Sequence, residues 1–315
     1  MNTLDQTCRD RLHEWLVEDL WSQWTALGAA GLPTRELESF IIDPEALLLA
    51  TLKFGAVEPR LAGEVADWLE KNGDVLSLQR MRNLQAAWQI APRNELNGFA
   101  EFMIGAGFRH WRAMIGDAGE SCPFVPQGFR ARGLAQSPDP DKPCNLVMRL
   151  RRIFGLNARP EIMAWLWTHR AGHPARIARE TGWFSKSVQA ILDDMETAGC
   201  VTSCTRGKCR EFSFHARNQI FHPELGIGAV WQSQGPRWSA FKLIDEHLED
   251  ITKPDDYRIE TRAIALRGRL ASLHDAFHAA EMVDPFAGIE KERGAALVEA
   301  FCATVESMVA RGNQR

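Results

Sequence analysis

Residues 173–214, HPARIARETGWFSKSVQAILDDMETAGCVTSCTRGKCREFSF, constrain the fold more than any other stretch of the chain. They predict a short helix, a tight turn, a second helix and a β-hairpin. Ile177 and Ala178 form the inward side of the first helix, and Gly182 follows Ala178 by four residues. A residue without a Cβ suits such a turn, because it adopts positive φ at little cost. Ser185 is placed to cap the second helix through its hydroxyl. Val188, Ile191, Leu192 and Met195 recur at helical spacing, so one stripe faces inward. Ala198-Gly199 ends that helix, with Gly199 at the left-handed position beyond it. Residues 201–204 and 209–214 predict two strands around Thr205-Arg206-Gly207-Lys208.

This stretch resembles the winged helix-turn-helix of MarR- and ArsR-type bacterial regulators. The resemblance rests on IARETG, on SKSVQAILDDMETAGCV and on a hairpin with TRGK at its tip. It spans residues 146–216, counting the preceding support helices. It implies a mostly helical protein with a central winged helix-turn-helix, built as a three-helix core plus a β-hairpin wing. It also implies sequence-specific binding of double-stranded DNA by a transcriptional regulator. In that fold the second helix enters the major groove. Lys186 is then expected at a phosphate or a guanine edge. Ser185, Ser187 and Gln189 are expected to read bases or position the helix, glutamine being suited to adenine. Arg206 and Lys208 at the wing tip would meet phosphate or the minor groove. Arg176 and Arg179 would grip the backbone. The outer face of the second helix also carries Asp193, Asp194 and Glu196, where such regulators often carry Arg or Lys. Acids there repel phosphate and suit a basic protein partner. A protein–protein adaptor with the winged helix as docking module is therefore the alternative.

Charge is distributed unevenly. Residues 145–218 hold twelve Arg and Lys against six Asp and Glu; the chain as a whole is −4, which leaves −10 on the remainder. A basic segment on an acidic body is what a nucleic-acid reader needs, since phosphate contacts dominate affinity. It is also what a solvated domain with a few excess cations looks like. The content of 45% apolar and 25% charged residues is that of an ordinary globular protein. Residues 1–23 are broken by charges and read as no signal peptide, and no apolar run approaches a membrane span. A cytoplasmic location is expected. Seven scattered cysteines, an odd number, argue against a disulfide framework. Eleven tryptophans stand against one tyrosine, consistent with Trp at helix–helix contacts.

Apolar periodicity predicts helices over 3–27, 44–54, 60–71, 76–90 and 94–114. Asp43 caps the second of these, with Pro44 at its first position. A second helix-turn-helix over 61–84 is disfavoured, because Ala66 and Gly73 are seven residues apart. Residues 117–143 hold Gly, Pro and Asp and no apolar period, so they read as a linker. Helices over 146–154 and 159–170 support the central motif; Arg149, Arg151 and Arg152 make a basic edge that is a phosphate contact or a solvated face. Further helices are predicted over 237–248, 257–280 and 295–310. The domains are then 1–116, a helical domain; 117–144, the linker; 145–220, the winged helix; and 221–315, a second helical domain. Ile259, Ala263, Leu266, Leu270, Leu273 and Phe277 alternate by four and three. That stripe either packs within its own domain or pairs with a second copy to form a homodimer.

Three groups could carry chemistry. Cys200, Cys204 and Cys209 lie on the hairpin, where facing thiolates would bind zinc or oxidise, with His215 as the nearest further ligand. Small hairpin residues are the plainer reading. His274 and His278 are one turn apart with Glu281 beyond, a metal-binding face or solvated histidines. His169 and His173 read as capping or surface residues. No GxxxxGK[ST], GxGxxG after a strand, HExxH or GxSxG occurs. No enzyme, cofactor or metal is expected, and no catalytic residue is nominated.

Overall fold

The computed structural model describes residues 2–31, 40–116, 121–122, 124, 129–207, 209–214, 228–252 and 259–312. Among these the chain is mostly helical, with one small antiparallel sheet. The first five helices are α1 (Asn2–Ala26), α2 (Pro44–Phe54), α3 (Pro59–Asn72), α4 (Leu78–Trp88) and α5 (Arg93–Gly105). Then come α6 (Leu146–Phe154), α7 (Arg159–Thr168), α8 (Pro174–Thr181), α9 (Ser185–Thr197), β1 (Val201–Arg206) and β2 (Cys209–Phe214). The chain closes with α10 (Gln234–Thr252), α11 (Ile259–Ala279) and α12 (Ala295–Gly312).

Local signals account for most boundaries. Asp43 caps α2 by accepting the Ala46 N–H at 3.1 Å, with Pro44 in the first turn. Helix α8 ends at Gly182, whose φ of +74° is left-handed, and Gly199 beyond α9 has φ +73°. Two expectations change. The helix over 94–114 stops at Gly105, and a 3₁₀ segment, Arg109–Met114, follows. Ser185 does not cap α9. The cap position is Phe184, in extended backbone and without a side-chain bond, and Ser185 is the first helical residue.

Two hydrophobic cores hold the chain together. The smaller joins α6 to α9 and the hairpin through Ile162, Trp165, Ile177, Val188, Leu192 and Phe212. The larger joins α1–α5 to α10–α12. The separate N- and C-terminal helical domains expected from the sequence thus share one core. Leu12 and Leu16 of α1 are buried in it together with Phe241 of α10 and Phe301 and Val305 of α12. Asp245 of α10 fixes the contact further, accepting Arg9 Nε at 2.7 Å and lying 2.7 Å from His13 Nε2. Ala263, Leu266, Leu270, Leu273 and Phe277 are buried in the same core, so the stripe on α11 packs within its own chain. Five tryptophans, Trp24, Trp68, Trp111, Trp165 and Trp238, are among the largest fully buried side chains.

The described part of the expected linker is docked. The Asp67 carboxylate accepts backbone N–H groups of Gly133, Leu134 and Ala135 at 2.7–3.0 Å. Asn72 Nδ2 donates to Gln136 O at 3.1 Å. A run without apolar period can be fixed this way, because its backbone polar groups find side-chain partners.

A buried ionic cluster joins the two cores. Glu45 of α2 accepts Arg80 Nη1 of α4 at 2.7 Å and Arg151 Nη1 and Nη2 of α6 at 2.7 and 2.8 Å. Asp43 takes Arg80 from the other side, and Glu161 of α7 takes Arg151. Burial opposes the charge on both arginines, but Asp43 and Glu45 at Arg80, and Glu45 and Glu161 at Arg151, outweigh it and hold the guanidinium groups above their ordinary pKa. Burial likewise opposes ionisation of Asp43, and Arg80 outweighs it. Two of the three arginines of the basic edge on α6 thus meet acids, Arg151 inside this cluster and Arg152 on Asp74 at 2.6 Å, while Arg149 reaches only the Pro140 carbonyl at 3.5 Å.

The same helix α4 seats the turn between α8 and α9. Arg80 Nε donates to Thr181 O at 2.6 Å, and Asn83 Nδ2 donates to Gly182 O at 3.1 Å. A Cβ at Gly182 would lie 2.8 Å from Leu84 Cδ2. Gly182→Ala should therefore lose about 1–2 kcal/mol from the left-handed backbone alone, with the Leu84 contact adding to it. Urea unfolding measures this, and an unchanged midpoint would remove the turn from the interface.

Candidate nucleic-acid interface

The local unit that carries the candidate residues is built on Trp165. Its indole N–H donates to the buried Glu180 carboxylate at 2.6 Å, and its ring stacks on His169 at 3.9 Å. Gly172, between α7 and α8, exchanges backbone hydrogen bonds with Phe212 of β2 at 2.9 Å in both directions. A Cβ there would lie 2.3 Å from the Trp165 ring, so only glycine lets this strand residue approach. The result is a short third edge beside the hairpin, with α8 and α9 in between in the chain. β1 and β2 pair from Val201↔Phe214 to Arg206↔Cys209.

Helix α9 lies across this unit with Val188, Leu192 and Met195 buried. Ser185, Lys186 and Ser187 are exposed at its start, as are Ala190 and Asp194 further along. Arg179 is exposed on α8 and reaches Glu180 at 3.4 Å. Gln189 is half-buried and points along its own helix, donating to both oxygens of Asp193 at 3.0 Å. The acidic face of α9 is partly compensated from within. Arg210 of β2 donates to Asp193 at 2.8 Å and also to Glu196. Only Asp194 stays exposed with a distant partner, Arg159 at 4.0 Å. No sequence signal linked Arg210 to these acids, because the register of the hairpin sets that contact.

Arg176 has a different place from the one expected. It donates to Glu180 at 2.8 Å and to Glu281, just beyond α11, at 2.5 Å. Its guanidinium thus ties α8 to the larger body. His169, Glu180 and Glu281 bring three potential metal-ligand atoms within 4.8 Å of one another. Arg176 already sits on both carboxylates, Arg179 reaches Glu180 at 3.4 Å, and Trp165 takes the other Glu180 oxygen, so protein groups occupy this cluster. His173 caps α8, accepting the Ala175 N–H at 3.2 Å.

Arg206 closes β1; its side chain and the whole of Lys208 lie outside the described residues, as does His215. Cys204 pairs across the hairpin with Glu211, and Cys209 with Arg206, so the two thiols are not opposite each other. Cys200 is buried at the base. On α11 His274 bonds Asp284, and Glu281 turns, with φ +56°, toward Arg176, so the three groups of the metal-face alternative do not converge. Among the described residues no helix is long and apolar enough to cross a membrane. Comparison with known proteins finds no family model, no curated relative and no solved structure that matches this chain.

Proposed function

We propose that this protein binds double-stranded DNA through α9 and the hairpin, as a transcriptional regulator with a winged helix-turn-helix. The observation that carries the reading is the start of α9. Ser185, Lys186 and Ser187 are exposed there, no side chain caps the helix, and α8 with its left-handed Gly182 sets the turn before it. Free N–H groups at a helix start favour phosphate, and the first turns of a second helix are where base edges are met. The ion pairs of Arg210 with Asp193 and Glu196 support the reading, since one cation offsets part of the repulsion that the three acids of α9 would exert.

Within this reading the observed contacts divide the residues by role. Lys186 and Arg179 are the phosphate contacts; Ser185 and Ser187 read bases or position the helix. Gln189 keeps Asp193 company, and Arg176 serves the body. Arg206 and Lys208 keep their role as wing contacts in this proposal. A second copy would supply a second half-site, through a surface other than the buried stripe of α11. Selection of duplexes from a random library by the full chain tests the reading. Ser187→Ala should flatten one position of the selected motif, whereas Lys186→Ala should weaken all sequences alike. Recovery of no motif would count against sequence reading.

A protein-docking role is the second reading, favoured by Phe184. This side chain is 56% exposed at the start of α9, a helix that also exposes Asp194 further along. Phe184→Ala would then abolish capture of a protein partner and leave duplex affinity unchanged.

A further inference from the structure

A cleft of about 690 Å³ lies between α4, α5, the segment after Arg109–Met114 and α10. That is the size of a small-molecule site and far too small for a duplex. Its charged lining among the described residues is of one sign: Arg82 from α4, Arg93 from α5 and Lys242 from α10. This stands out on the part of the chain that carries the negative balance. Lys242 is partly compensated by Glu246 at 3.1 Å, while Arg82 bonds the neutral Gln79 at 2.7 Å.

The rest of the lining mixes apolar side chains with the amides of Gln85, Gln89 and Asn97. Leu96, Met114 and Ile115 supply its larger apolar side chains. Gln85 spends both ends of its amide on the Ala91 backbone, at 2.7 and 3.0 Å, which locks the connection between α4 and α5. Helix α5 opens toward the cleft at Pro92 and Arg93, and no side chain caps it. The partial positive charge of a helix start adds to that of the two arginines. Arginine offers a planar fork that suits carboxylate, phosphate and sulfonate oxygens.

We infer that this cleft binds a small organic anion, with an acidic headgroup held by Arg82 and Arg93 and an apolar body against Leu96, Met114 and Ile115. Binding needs no nucleic acid, so it stands or falls apart from the DNA reading.

The test uses two fluorescent probes with the same aromatic body on the full chain: 8-anilinonaphthalene-1-sulfonate and the uncharged N-phenyl-1-naphthylamine. The sulfonate should bind at one site and the neutral probe at least about tenfold more weakly. Arg82→Gln with Arg93→Gln should weaken the sulfonate by at least about tenfold and leave the neutral probe unchanged. Both arginines are exposed, and an unaltered thermal melt confirms the fold. Ile115→Glu, at a surface position of the same cleft, should also exclude the sulfonate. Equal affinity for the two probes, or a sulfonate affinity that survives both changes, would overturn the inference.

Discussion

Replacing Glu45 with glutamine should destabilise the protein by about 3–5 kcal/mol, the range seen when one partner of a buried ion pair is removed. Glu45 is fully buried and accepts four hydrogen bonds, from the Ser77 N–H, from Arg80 and twice from Arg151. A glutamine amide keeps the shape but turns an N–H₂ group toward guanidinium donors. Whichever oxygen is replaced, Arg151 loses one of its two Glu45 bonds and Arg80 or the Ser77 N–H loses another, while Arg151 keeps Glu161 and Arg80 keeps Asp43. The cost arises from desolvated cations left short of acceptors. Arg151→Met on top of Glu45→Gln should recover part of it, because it removes one of the stranded cations. Because the cluster spans both cores, the loss should appear as one cooperative transition in urea. A loss below about 1 kcal/mol would show that the cluster is not what joins the cores.

Acid should cost the protein stability well above the carboxylate range, through His247. Burial, and then the charge of Arg269, push this imidazole down to about 4, against the weaker pull of Asp250. It is 3% exposed and packs edge-on against Phe301 at 5.7 Å. In the unfolded chain the same group takes a proton near pH 6.5. Between about pH 6.5 and 4 the unfolded state therefore holds more protons, and stability falls as pH falls through that window. The contribution is complete above pH 6.5 and amounts to about 3 kcal/mol at most. His247→Leu should flatten the dependence of the unfolding free energy on pH between 6.5 and 4.5. Parallel slopes for variant and parent would assign the acid sensitivity elsewhere.

What the sequence disclosed was local. The α8–Gly182–α9 unit, its inward stripe and the hairpin follow from periodicity and turn chemistry within forty-two residues, and they are present. The cap at Asp43 was equally legible, since cap and helix are adjacent. What escaped was set by distant packing. Nothing in the period of α1 says that it shares a core with α10 and α12. Arg80 and Arg151 look like surface cations in sequence, and only the approach of α2, α4 and α6 makes them a buried cluster. The charge asymmetry had the same blind spot. Part of the basic excess of residues 145–218 faces acids of the body, Arg151 on Glu45, Arg152 on Asp74 and Arg176 on Glu281. It is complementary within the chain as well as suited to phosphate. The segment remains a candidate reader because Lys186, Arg179 and the first turn of α9 are left outward.

The most direct measurement is the affinity of the full chain for a labelled duplex, titrated with salt by fluorescence anisotropy. Three to four phosphate contacts should lower the affinity by about 40- to 150-fold between roughly 50 and 200 mM salt. Lys186→Ala should reduce the slope of log affinity against log salt by about one. No binding at the lowest salt, or an affinity indifferent to salt and to Lys186, would contradict DNA recognition by α9.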